Sequence, residues 1–223
     1  MKILVIAPHP DDEVLGCGGV IKKHVKSGDQ VYCCIVTKGY PPEWSEEFMK
    51  KIRKDNLNAS KVLGIKKTLF LDLPTAKLDT VPQKKLNDFI GECVKEINPE
   101  VVYIPFAGDL SRDHRLIFES ALVATRPING SKIKRIMAYE VLSETEWGRF
   151  LPNKRYDIFS PNIYIDISET LKDKLKAMAC YKGEIKSHPH PRSLKIIKAL
   201  AQKRGSEAGL KAAEAFFLIR EIL

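Results

Sequence analysis

Between residues 2 and 126 the chain alternates four times between a short apolar run and a longer stretch with apolar residues at helical spacing. Residues 2–7, 30–37, 68–71 and 101–105 have strand length and strand composition. Between and after them come a helical pattern through Leu15, Val20, Ile21 and Val25, then 46–63 closed by Gly64, then 82–97, then 113–126 stopped by Pro127. Strands separated by helices of this length pair in parallel through right-handed crossovers. The alternation therefore predicts an α/β chain: a Rossmann-like three-layer fold with a mainly parallel sheet and helices on both faces. Residues 135–141 and 164–167 add two strand candidates, separated by a looser Pro- and Asn-bearing stretch at 152–162. From Ser168 onward the pattern predicts helix to the end, with Gly205 dividing two segments.

The length of 223 residues, with no repeat and no linker-like shift in composition, favours one domain over 1–223. No apolar run approaches the ~20 residues of a membrane-spanning helix. The N-terminal run passes directly into His9, Asp11, Asp12 and Glu13, unlike a secretory leader, so a cytoplasmic protein is expected. The five cysteines form no C-x-x-C pair, which suits reduced thiols. The net charge of +9 raises the question of a polyanionic partner, and residues 172–204 hold ten Lys/Arg against Asp173 and Glu184. A solvated helical face accounts for that stretch, and no specific nucleic-acid partner is expected. A dinucleotide is disfavoured, because Gly16, Gly18 and Gly19 follow an acidic loop that would meet the pyrophosphate with three carboxylates.

Open α/β sheets bind ligands at the carboxyl ends of their strands, so the loops there are the place to look for chemistry. After the first strand the chain reads Ala7-Pro-His-Pro-Asp-Asp-Glu13, and after the fourth Phe106-Ala-Gly-Asp-Leu-Ser-Arg-Asp-His114. His9, Asp12 and His114 together make a His2Asp set that suits a catalytic zinc, which takes three protein ligands and leaves one position open. Two histidines and a carboxylate accept several divalent metals, and zinc is the preference among them. Successive side chains point apart, so Asp11 is free to act as general base on a water. The same acidic run also fits helix capping, with Asp11 as N-cap and Glu13 in the first turn. Glu13 is expected to support the site or cap the helix, and Asp113 to orient a histidine or cap the fourth helix.

These residues resemble the LmbE-like, or PIG-L, deacetylase family, whose signature is an apolar strand ending in A-[H/P]-P-D-D-E. The likeness continues through Gly16-Cys-Gly-Gly19, the Arg53 helix ending Leu63-Gly64-Ile65, residues 109–115, Tyr139-Glu140, Pro189-His-Pro-Arg-Ser193 and Ala213-Glu-Ala-Phe216. It implies a metal-dependent, usually zinc, hydrolase that removes acetyl groups from N-acetylated amino sugars or their conjugates. It assigns His9, Asp12 and His114 as metal ligands and Asp11 as general base. Many members carry H-x-x-H in the downstream loop, where this chain has Ser111-Arg-Asp-His114. His190, between two prolines, is the candidate to take over as acid or oxyanion donor. Arg53, Arg115 and Arg192 are candidate substrate contacts, because a guanidinium forks onto hydroxyls and anions. Trp147 and Tyr139 are candidate platforms for a sugar ring.

The expected partner is a small amino-sugar substrate, with no membrane span; a homo-oligomer is left open. Two other readings use the same residues differently: a metal hydrolase of another amide or ester, and a non-catalytic nucleotide- or nucleic-acid-binding module.

Overall fold

The computed structural model describes residues 1–128, 130–150 and 158–223. Seven strands form one sheet: β1 (Lys2–Ala7), β2 (Gln30–Lys38), β3 (Lys67–Pro74), β4 (Val101–Pro105), β5 (Arg135–Tyr139), β6 (Ile163–Asp166) and β7 (Ala213–Glu221), in the order β3-β2-β1-β4-β5-β7-β6. The pairs β3·β2, β2·β1, β1·β4 and β4·β5 are parallel, and β7 runs antiparallel to both β5 and β6. The helices are α1 (Asp12–Lys26), α2 (Glu46–Leu63), α3 (Gln83–Ile97), α4 (Arg112–Ala124), α5 (Thr145–Gly148), α6 (Leu171–Met178) and α7 (Leu194–Ser206), with a 3-10 turn at Leu78–Thr80.

The mainly parallel three-layer architecture follows from the alternation in the sequence. Side chains of successive strand residues go to opposite faces, and both faces are buried: Ile3, Val5 and Ala7 pack with α1, α2, α6 and α7, while Leu4 and Ile6 pack with α3 and α4. All five cysteines are free, and four are buried. No helix among the described residues is long and apolar enough to cross a membrane. The strand order reverses between β1 and β4, so the loops that follow these two strands open beside each other.

One expectation is overturned. Residues 213–221 are not helical but form β7, inserted between β5 and β6. Ala213, Glu214 and Ala215 favour a helix in isolation, whereas pairing of Ala213–Phe216 with β6 and of Phe216–Glu221 with β5 holds the segment extended. Gly205 lies inside the last turn of α7 rather than between two helices. The chain folds back over it so closely that a Cβ there would sit 2.7 Å from the backbone of Leu210 and Ala212. The proposed irregular stretch at 152–162 lies outside the described residues as far as residue 157.

β7 also brings Glu214 into the interior. Its carboxylate accepts from the backbone N–H groups of Gly19 (2.9 Å) and Val20 (2.7 Å) and from Lys174 Nζ (2.6 Å). Lys174 Nζ also donates to the Leu15 carbonyl at 2.7 Å, and both side chains are almost fully buried. This pair ties α6 and β7 to the middle of α1. Removing one partner of a buried pair leaves an uncompensated charge, at a cost of about 3–5 kcal/mol. Lys174→Met should therefore lower the melting temperature by roughly 10 °C, and Lys174→Met with Glu214→Leu should recover most of the loss. An unchanged transition in the single variant would show that the pair contributes nothing. The basic stretch at 172–204 is likewise partly neutralised: Lys174, Arg192, Lys203 and Arg204 all sit on carboxylates.

Candidate metal centre

The loop after β1 is pinned before it does anything else. Thr37 on the neighbouring strand donates both its N–H (3.0 Å) and its hydroxyl (2.8 Å) to the Pro8 carbonyl. Asp11 then takes a left-handed backbone conformation, φ 111°, which a non-glycine residue adopts only under constraint. Glu13 supplies part of that constraint by accepting the Asp11 N–H at 3.0 Å. The other oxygen of Glu13 accepts from Asn56 Nδ2 (3.2 Å) and from the Tyr181 hydroxyl. Burial raises the Glu13 pKa to about 7, against the opposing effect of these bonds. Of the two readings of the acidic run, side-chain capping by Asp11 is excluded, since its carboxylate makes no cap bond.

Asp12 and His114 open α1 and α4, and they meet His9 across the reversal in strand order. His9 Nδ1 lies 3.4 Å from Asp12 Oδ2 and 3.3 Å from His114 Nε2, and His114 Nε2 lies 3.2 Å from Asp12 Oδ2. An ion with tetrahedral ligands at about 2.0–2.1 Å holds them about 3.3–3.4 Å apart, so three edges of such a site are already formed. The remaining oxygen, Asp12 Oδ1, is buried and has no hydrogen-bond partner. Asp12 Oδ2 accepts the His9 backbone N–H at 2.9 Å, and a buried carboxylate whose other oxygen has no donor, beside two ring nitrogens, fits a divalent cation. The far nitrogens are taken: His9 Nε2 lies 3.0 Å from Asp113, and His114 Nδ1 lies 2.8 Å from Asp109. With protons on those far nitrogens, the lone pairs of His9 Nδ1 and His114 Nε2 face the centre. Among the described residues, His9, Asp12 and His114 form the one group of this kind.

The supporting carboxylates are themselves held. Asp113 accepts from the Ala76 N–H at 2.7 Å, and Asp109 from the Thr145 hydroxyl at 2.6 Å. Burial opposes a charge on His9, but Asp113 and Asp12 outweigh it and raise its pKa to about 9. Burial likewise opposes ionisation of Asp12, and His114 and His9 outweigh it, so Asp12 remains a carboxylate. In the sequence Asp109 stands out only as part of a longer likeness; a carboxylate near a strand end and five residues before a ligand histidine is the signal for it. Asp109→Asn should weaken metal affinity by about 10–100-fold while leaving His114 in place, as measured by competition with a chelator. Unchanged affinity would remove Asp109 from the centre.

Asp11 lies next to the triad and reaches Arg192, whose Nη1 is 3.1 Å from Asp11 Oδ2 and 3.2 Å from Glu184 Oε2. Arg192 Nε donates to Ser143 Oγ at 2.8 Å. Burial, with Asp12, Glu184 and Glu13 adding to it, raises the pKa of Asp11 despite Arg192. His9, Asp11, Glu144, Glu184 and Arg192 line a cavity of about 250 Å³ together with Trp44, Phe48, Met49 and Ile52. A larger cavity of about 410 Å³ begins at Pro191 and contains none of the three ligand residues.

The remaining candidates divide. Arg192 is in the cavity wall, but Arg53 lies outside it, 3.2 Å from Asp72 and over the Phe70 ring. His190 is also outside the lining, and its Nδ1 accepts the Arg192 N–H at 3.0 Å. Ser111 caps α4 by position, and its N–H donates to Glu144 at 2.8 Å. Tyr139 is core: it is fully buried under Gly16 and donates to the Ile6 carbonyl. Trp147 is on the surface of α5, and the indole in the cavity is that of Trp44, which the sequence did not single out.

The family model described as PIG-L, GlcNAc-PI de-N-acetylase, matches residues 4–125. A diacetylchitobiose deacetylase of Thermococcus kodakarensis is 25% identical over 96% of this chain and 81% of its own. A Bacillus anthracis protein described as a probable N-acetyl-α-D-glucosaminyl L-malate deacetylase 2 is 27% identical over 82% of this chain and 80% of its own. The crystal structure of a conserved protein from Thermus thermophilus superposes with a TM-score of 0.79 at 24% identity, covering 99% of this chain and 96% of that one.

Proposed function

This chain belongs to the PIG-L, GlcNAc-PI de-N-acetylase family, and from that premise we propose that it is a zinc-dependent hydrolase removing the acetyl group from an N-acetylated amino sugar or its conjugate. The observation that carries the reading is the convergence of His9 Nδ1, Asp12 Oδ2 and His114 Nε2 at 3.2–3.4 Å, with Asp11 buried beside them. A divalent ion held by these three residues would supply a Lewis acid for the amide carbonyl and make water a better nucleophile.

Asp11 accepts a proton from the attacking water as the water oxygen bonds to the carbonyl carbon. It then returns that proton to the amide nitrogen as the C–N bond breaks, releasing acetate and the free amine. Glu13 fixes the unusual backbone of Asp11, and Arg192 fixes its carboxylate. Arg192 is also the one Lys or Arg among the described residues that line the cavity, in a chain that has Ser111 where many members of the family carry a histidine, and it stabilises developing negative charge. His190 acts through Arg192, by holding its backbone N–H. The indole of Trp44 offers an apolar face to the sugar ring.

The test is acetate release from N-acetylglucosamine and its glycosides by the purified protein before and after chelation, with simple esters alongside. Chelator-sensitive release from the amides is the expected result. Release from esters alone would move the reaction to another acyl group, and no metal with no release would leave a binding module.

A further inference from the structure

Asp11 is held from two directions by one stretch of chain, residues 181–192. Its carboxylate meets Arg192 Nη1 at 3.1 Å, and the same Nη1 meets Glu184 Oε2 at 3.2 Å. Its backbone N–H donates at 3.0 Å to Glu13 Oε2, and the other oxygen of Glu13 accepts from the Tyr181 hydroxyl. Asn56, on α2, completes the second hold. Its Nδ2 donates to the Tyr181 hydroxyl at 2.8 Å and to Glu13 Oε1 at 3.2 Å. Glu13, Asn56 and Tyr181 are all fully buried, and they come from α1, α2 and the segment after α6.

This triangle is poorly arranged for stability alone. Asn56 Oδ1 is buried with no hydrogen-bond partner among the described residues, so the amide carries an unmet oxygen into the interior along with its two donor bonds. A half-satisfied polar network is a worse core than apolar side chains. What the donors accomplish is local. With one oxygen of Glu13 held by two donors, the other has a fixed place, and there it meets the N–H of Asp11 in its left-handed conformation at φ 111°. A backbone kept in that region by its surroundings relaxes toward commoner conformations when the contact loosens, and the Asp11 carboxylate moves with it.

We propose, on the reading of Asp11 as general base, that Tyr181 and Asn56 are positioning residues that act through Glu13 on the Asp11 backbone.

The experiment compares Tyr181→Phe, which removes one oxygen and keeps the ring, with Tyr103→Phe. The second variant makes the same change at another buried tyrosine, whose hydroxyl meets His24 Nε2 at 3.0 Å at the other end of α1. Both lose a buried hydrogen bond, so stability does not distinguish them. In zinc-saturated enzyme Tyr181→Phe should lower kcat for acetate release from N-acetylglucosamine by about 10–100-fold, the scale of a small misplacement of a reacting group. KM should change by less than about twofold, and Tyr103→Phe should leave kcat unchanged. In an Asp11→Asn background Tyr181→Phe should cost less than about twofold, because no base is left to position. Unchanged kcat in Tyr181→Phe, an equal loss in Tyr103→Phe, or losses that multiply in the double variant would overturn the proposal. Asn56→Ala, which removes the other donor together with the unmet oxygen, carries the same expectations if Tyr181→Phe does not fold.

Amide hydrogen exchange reads the same contact without turnover. The Asp11 N–H should exchange at least about tenfold faster in Tyr181→Phe than in the wild type, with and without zinc, and at the wild-type rate in Tyr103→Phe. If the wild type releases no acetate, the deacetylase reading fails and exchange alone decides. An Asp11 N–H that keeps its wild-type rate in Tyr181→Phe would overturn the proposal in either case.

Discussion

Asp11→Asn should reduce kcat by about 10²–10⁴-fold, the usual contribution of a positioned general base, while elemental analysis finds the metal content of the purified protein unchanged. The two readouts separate because the structure separates the groups. Asp11 faces Arg192 at 3.1 Å, whereas the group that could hold a metal is made by its neighbours on the chain, His9 and Asp12, and by His114. Asparagine keeps the shape and the contact with Arg192 but cannot take the proton of a water. The folded backbone at φ 111° is one that asparagine tolerates better than most residues, so the variant reports on chemistry and not on folding. Asp11→Ala should also lose turnover and keep the metal, with a lower melting temperature, because alanine is strained at φ 111° and loses the contact with Arg192. Loss of metal together with turnover would mean that the roles of base and ligand have been exchanged, and retention of turnover would take the base elsewhere.

The second large effect is expected at His114. His114→Gln should lower metal affinity by more than about 10²-fold, beyond the cost of losing an outer carboxylate, and turnover should fall with it. His9→Ala should do the same from the other loop. His114 is fully buried between Asp12 and Asp109, so its removal also brings two carboxylates together without the imidazole between them. A thermal denaturation curve therefore accompanies the metal analysis, and adding excess zinc should restore part of the activity if the fold survives. A protein that keeps stoichiometric metal in both variants would place the ion away from β1 and β4.

Much of this site could be read from the sequence because its key residues are consecutive or lie close to strand ends. His9, Asp11 and Asp12 follow a continuous apolar run of buried-strand length, and the sheet makes that run a central strand with its loop at the reversal in strand order. His114 follows the fourth such run. The triad needed only the rule that ligands bind where these loops meet. The role of Arg192 needed more, because its partner Asp11 comes from far along the chain, and His190 touches the site only through the Arg192 N–H. Arg192 reaches across 181 residues to Asp11, and Tyr181 reaches across 168 to Glu13.

The strand β7 shows the same limit at the level of backbone. Its first residues have helical propensity, and only the two open strand edges of β5 and β6 make extended pairing the better choice. Helical period, strand period and turn chemistry are local, so the sequence by itself determined the α/β alternation of the first four strands and the loop that carries His9, Asp11 and Asp12. Which cation holds Asp11 and where β7 inserts were decided by the tertiary structure alone. Arg192 comes from the segment before α7, 181 residues from Asp11, and packing of distant segments leaves no periodic trace in the chain.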